Sequence, residues 1–236
     1  MITVSFLTWL ISVVYKAMFL TCDIKLRKAH LLSKILFTAS IVVAVIINPE
    51  KTPLLLPVLL LLGVVGFNLE WVFAATVLTG LVGCYLAISA YLLSLTGLYN
   101  MSLLQVLLVA LRAITIGYSI ILVFNIISPI DLYNALRTLG ARRFSTYIIL
   151  LWRLIPLGLR SFIDSLAVGY LKREKTTSRI PPATASVIEA GWLIEEYSYW
   201  RLRVKSKTHI PLPRSLLYTV TLYLTSIIIL ILVKIL

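Results

Sequence analysis

Apolar residues fall in long unbroken runs along this chain, with no in/out alternation of period two. Runs of this kind predict helices surrounded by apolar solvent, because about 20 mostly apolar residues in a helix span a hydrocarbon core. They cover 33–48, 53–67, about 70–97, about 104–127 and about 215–236. A membrane β-barrel is disfavoured, since its strands would alternate. Residues 2–20 are apolar apart from Lys16 and a few hydroxyl side chains, and read as a further span or as an interfacial helix. A cleaved signal peptide fits them poorly: no basic stretch opens the chain, and Lys16 interrupts the run.

Between 128 and 214 the pattern changes. Ser128-Pro129-Ile130-Asp131 supplies an N-cap hydroxyl, a proline at the first helical position and an acid at the third. Gly140 is expected to close that helix. A long helical region should follow over about 142–174, interrupted at Pro156, where the lost donor and the clash with the preceding turn predict a bend near 152–156. Thr176 to Pro182 breaks the pattern, and another helix is expected over about 183–204, before Pro211 and Pro213.

Composition agrees with lipid as the solvent. The chain has 236 residues, 60% of them apolar and only 13% charged, with a mean hydropathy of +1.00. A soluble chain needs more charge to hydrate its surface. The net charge of +13 raises the question of a nucleic-acid partner, but most lysines and arginines gather between 131 and 214, with no nucleic-acid fold signature. That clustering is the mark of a segment retained in the cytoplasm. Lys25, Arg27 and Lys28 likewise hold the 21–32 hinge inside, so 33–48 runs outward. The 48–53 and 98–103 loops are then external, and the last span runs outward. The 67–70 loop should be cytoplasmic although it offers only Glu70. The expected organisation is an apolar extension over 1–20, transmembrane helices over 21–127, a cytoplasmic region over 128–214 and a final transmembrane helix over 215–236. The expected fold class is all-α: a polytopic membrane helical bundle, multi-pass in the cell membrane, with a cytoplasmic pair of long helices.

Catalytic patterns are missing from the sequence. His30 and His209 stand alone and read as solvated interfacial residues rather than ligands. Cys22 and Cys84 lie far apart with no CxxC, so no metal knuckle or disulfide framework is expected. There is no GxxxxGK[ST] phosphate loop and no Gly-x-Ser-x-Gly elbow. Glu195 and Glu196 are neighbours on a helix and point in different directions. At membrane depth Arg112 is the main ionisable candidate, and without buried acids a self-sufficient ion-coupled carrier is not expected. No catalytic residue, metal or cofactor is assigned.

The informative feature is a pair of cytoplasmic helices with cationic ends. Phe162, Leu166, Tyr170 and Arg173 form one helical stripe; Ile188, Trp192, Tyr199 and Arg203 form another, with Leu202 beside it. Such a helix suits docking into a groove, its apolar face filling the groove while a guanidinium forks onto an acidic rim. The same arginines also complement a helix C-terminal dipole, worth about 0.3–1 kcal/mol, so a purely structural role stands beside the docking role.

The run from Ser128 to Arg143, followed by Leu151-Trp-Arg-Leu-Ile-Pro-Leu157, resembles the transmembrane T component of energy-coupling factor transporters. Lys34-Ile-Leu-Phe-Thr38 at the first strong span and Ile188-Glu-Ala-Gly-Trp-Leu-Ile-Glu-Glu-Tyr197 are similar to that family as well. The resemblance covers about 21–236, with 128–175 its specific part. It implies a non-catalytic membrane scaffold gripped by two ATP-binding-cassette ATPase subunits, one at each coupling helix. A separate substrate-binding membrane S component would carry a vitamin or a cobalt or nickel ion. The family ends its coupling helices in Ala-Arg-Gly or Ala-Arg-Ser. Here the corresponding text is Leu171-Lys172-Arg173 and Leu202-Arg203-Val204, without small flanks, so Lys172, Arg173, Arg201 and Arg203 together form the expected ATPase-coupling set. Pro156, Tyr170, Trp192 and Tyr199 are the expected bend and packing residues. The alternatives are a polytopic enzyme acting on lipid or isoprenoid substrates, which needs an acidic metal cluster, and a basic anchor that binds anionic lipid through 131–214.

Overall fold

The computed structural model describes residues 2–19, 25–96, 102–172, 176–203 and 214–235. Among them every regular element is a helix, so the fold is all-α. The helices are α1 (Ile2–Phe19), α2 (Leu31–Ile47), α3 (Leu56–Gly66), α4 (Leu69–Leu95), α5 (Leu103–Ile126), α6 (Pro129–Thr138), α7 (Arg142–Leu171), α8 (Thr176–Arg203) and α9 (Leu216–Ile235). Short 3-10 turns lie at Lys25–Lys28 and Thr52–Leu55. Residues 16–127 and 213–236 form one compact unit; residues 1–15 and 128–212 form another.

Two helices, α4 and α5, are long and apolar enough to cross a membrane. At 27 and 24 residues they are about 40 and 36 Å long, against a hydrocarbon core of about 30 Å. Only 22% and 33% of their apolar windows are buried within the fold. The core helix of a soluble protein would be covered by protein instead. Phe73, Tyr85, Ile88, Leu92, Leu104 and Leu107 are among the large apolar side chains these two helices leave exposed. The other apolar helices are shorter.

In the larger unit, α2 and α9 lie side by side and α4 packs along α5. The α2–α9 pair is parallel: His30 N donates to Thr219 Oγ1 at 3.0 Å at one end, while Ala44, Asn48 and Leu232 line one small cavity at the other. The α4–α5 approach is close because the facing residues are small. Thr79 meets Gly117, and a Cβ on Gly83 would lie 3.1 Å from the Ala110 carbonyl oxygen. A capping box opens α5, with Ser102 N donating to Gln105 Oε1 at 2.9 Å and Gln105 N to Ser102 Oγ at 3.4 Å.

The smaller unit begins as its sequence predicts. Ser128 N donates to Asp131 Oδ2 at 3.2 Å and Ile130 N to Ser128 Oγ at 3.2 Å, so Ser128 and Asp131 share the orphan donors of the first turn of α6. Pro129 sits at the first helical position, where no donor is missed. Gly140 has φ +86°, the left-handed conformation that ends the helix.

Two expectations about the region that follows need correction. The helix α7 continues through Pro156 without a break. The helix α8 starts at Thr176 rather than near 183 and contains both Pro181 and Pro182. An interior proline costs about 3 kcal/mol. Opposing that cost, α7 and α8 pack along one another. Ala183 and Leu166 are wholly buried, Ser186 Oγ donates to Ser161 O at 3.4 Å, and Gly158 leaves room for Val187. Side-chain hydroxyls also stay inside the helix, with Thr184 Oγ1 donating to Pro181 O at 2.8 Å.

Candidate functional site

The α7–α8 pair is an antiparallel hairpin. Residue 158 faces 187 and residue 161 faces 186, so position rises on one helix as it falls on the other. The cationic ends of the two helices are therefore at opposite ends of the hairpin. Lys172, exposed, lies at the end where α7 gives way to α8; Arg201 and Arg203 occupy the last turn of α8. That helix has 28 residues, which separates the two ends by about 40 Å along its axis. The fold keeps Lys172 apart from Arg201 and Arg203. Arg173 lies outside the described residues, as do the side chains of Tyr170, Tyr199, Arg201 and Arg203.

The two apolar stripes have different surroundings. On α7, Leu166 is wholly buried and Phe162 half-buried, so this stripe packs inside the unit. On α8, Ile188 and Trp192 are exposed, Trp192 at 68%, and Leu193 beside them at 69%. A tryptophan that open on a helix surface has the form of an interface anchor. Pro156 is half-buried within α7.

No family model, curated protein or solved structure matches this chain.

His30 serves the fold, because its Nδ1 accepts from Leu32 N at 3.2 Å and caps α2. His209 and Cys22 lie outside the described residues, and Cys84 is a free, exposed thiol. Among the described residues no three His, Cys, Asp or Glu side chains gather as a metal site would require. Arg112 is half-buried in α5, and its Nε is buried without a hydrogen-bond partner among the described residues.

Sequence reasoning missed a polar network at the hinge end of the larger unit. Lys34 is wholly buried and its Nζ donates to Arg27 O at 2.7 Å. Arg27 Nε donates to Asn125 O at 2.8 Å, a carbonyl in the last turn of α5 that has no partner within its own helix. Asn125 Nδ2 and Trp71 Nε1 both donate to Ala17 O, at 2.9 and 2.8 Å, near the C-terminus of α1. The hinge, the end of α5 and the starts of α4 and α9 thus meet at one end of this unit. The sequence expectation puts these segments on a single side, the 67–70 loop by alternation of the spans and not by its charge. An unexplained lysine at the start of an apolar run was the available signal for the network.

Proposed function

We propose that this chain is the multi-pass membrane scaffold subunit of an energy-coupling factor type importer. It passes movement from partner ATPases through α7 and α8 to a separate substrate-binding membrane subunit. The observation that carries the reading is the antiparallel hairpin with its cationic residues divided between two ends about 40 Å apart. Two motor subunits, one gripping each end, need that separation, whereas a diffuse lipid anchor does not. The likeness of 128–143 and 151–157 to the family's coupling region supports it further, as does the exposed Trp192 between the ends. Vitamins and cobalt or nickel ions are the substrate class the family implies, and they would be held by the partner subunit.

In this reading the chain does no chemistry. When ATP binding closes the ATPase pair, the two gripped ends shift relative to each other. Packed helices transmit the shift as rigid elements, because close-packed interfaces have discrete arrangements rather than continuous compliance. The test is co-purification from the native host followed by charge reversal. The wild-type chain is expected to retain P-loop ATPases and a small apolar membrane protein. Arg173→Glu should weaken the grip at one end and Arg203→Glu at the other, either one abolishing uptake. Unchanged ATPase retention and unchanged uptake in both variants would defeat the proposal.

A further inference from the structure

The hinge end of the larger unit carries cations beyond those in the buried network. Lys25 lies in the 3-10 turn Lys25–Lys28 and is exposed; Arg214, just ahead of α9, is exposed as well. The two segments are far apart in sequence but stitched together, since Ser215 N donates to Lys28 O at 2.8 Å and His30 N to Thr219 Oγ1 at 3.0 Å. Lys25, Lys28 and Arg214 therefore gather where α2 and α9 begin. Neither Lys25 nor Arg214 is engaged by a hydrogen bond or ion pair among the described residues. The acids of this unit are few: Glu50 belongs to the turn at the far end, Glu70 opens α4, and Asp23 lies outside the described residues. Immediately after the cations, both helices expose large aliphatic side chains. Leu32, Ile35 and Leu36 do so on α2, and Leu216, Leu217 and Val220 on α9.

We infer that Lys25 and Arg214, with the exposed apolar faces of α2 and α9 beneath them, form a binding site for an anionic glycerophospholipid. The phosphate takes the cations and the acyl chains lie along the parallel helix pair. This rests on the membrane-spanning reading of the chain. Scattered cations at a membrane surface collect anionic lipid non-specifically. Here, tertiary hydrogen bonds hold cations from two distant segments at one place, at the start of two adjacent helices whose exposed aliphatic side chains continue to Ile47 on α2 and Ile231 on α9. The occupant is therefore a lipid and not a free phosphate, which would have no use for the apolar faces.

The full-length protein, in nanodiscs containing both phosphatidylglycerol and phosphatidylcholine, is analysed by native mass spectrometry for retained lipid. Each near-surface Lys or Arg is worth about fivefold in anionic-lipid affinity. Lys25→Gln/Arg214→Gln should thus lower phosphatidylglycerol retention about 30-fold, while the charge-preserving Lys25→Arg/Arg214→Lys keeps it. Lys51→Gln/Lys234→Gln removes the same charge elsewhere and should leave retention unchanged. An equal loss in both glutamine pairs, unchanged retention in the first, equal retention of phosphatidylcholine, or full displacement by glycerol phosphate would overturn the site. Release of the wild-type chain from membranes by alkaline carbonate would instead defeat the membrane reading. A detergent-dependent chain without lipid preference defeats only this inference.

Discussion

Gly63 and Tyr118 offer a test in which one substitution should reverse its sign. Tyr118, on α5, is wholly buried, and its hydroxyl has no hydrogen-bond partner among the described residues. That hydroxyl occupies the space beside Gly63 of α3. A Cβ there would meet it inside 3.0 Å, nearer than real Cβ atoms sit to a neighbour, with Trp71 Cζ3 at 3.3 Å on another side. Overpacking of this kind costs about 1–3 kcal/mol, while replacing glycine by alanine in a helix returns up to about 1 kcal/mol. Gly63→Ala should therefore destabilise the protein by about 1–2 kcal/mol, lowering Tm by about 3–6 °C for a chain of this size. Tyr118→Phe alone removes a buried hydroxyl that lacks a partner, and should be neutral or slightly stabilising. With the oxygen gone, the nearest neighbours of the new methyl group are Trp71 Cζ3 at 3.3 Å and the ring carbon Cζ at 3.4 Å, close to ordinary contact. In the Tyr118→Phe background Gly63→Ala should then be neutral or raise Tm by up to about 3 °C. Thermal unfolding of the four proteins in detergent, followed by tryptophan fluorescence, measures the cycle. An equal loss from Gly63→Ala in both backgrounds would refute the packing argument.

Other outcomes follow from single local features. Ser128→Ala removes the N-cap of α6 and should cost about 1 kcal/mol, seen as a fall in Tm of about 2–4 °C; no fall would mean the box contributes nothing. At Gly140, with φ +86°, alanine should cost about 1–2 kcal/mol while asparagine costs clearly less, a ranking that parallel thermal melts can check. Cys84 is exposed on α4 about 22 Å along the helix from its start. In a Cys22→Ser background it should resist a charged maleimide in intact membranes and react after solubilisation. Full labelling in membranes would place this face of α4 in water.

Some of the fold was legible because its causes are local. The run over 104–127 became α5, and Ser128-Pro129-Ile130-Asp131 became a capped helix, because a cap and its first turn lie within a few residues of each other. Where the expectation was local but the outcome was not, it failed. Thr176–Pro182 reads as a break by proline count, yet it is the start of α8, since the packing of Ser186 and Val187 against α7 offsets what the prolines cost. Likewise Phe162 and Leu166 read as a stripe offered to a partner, and the fold turns Leu166 wholly inward. The Ser102–Gln105 box that opens α5 is local too, and its serine with glutamine three residues on is a readable signal that the expected start near 104 left unused.

Helical chain, apolar spans, a basic segment between the last two of them and the sharp ends of α6 can all be had from the residue order. Helical period, capping and charge act over distances shorter than one or two turns, so neighbours along the chain suffice to set them. Long-range packing alone brings Arg27 to Asn125 O and both Asn125 and Trp71 to Ala17 O, and makes neighbours of Lys28 and Ser215, with Arg214 beside it. The same holds for the opposed cationic ends of α7 and α8. A buried amide or cation pairs with whichever unsatisfied carbonyl comes within about 3 Å, and helices from distant parts of the chain determine which one that is.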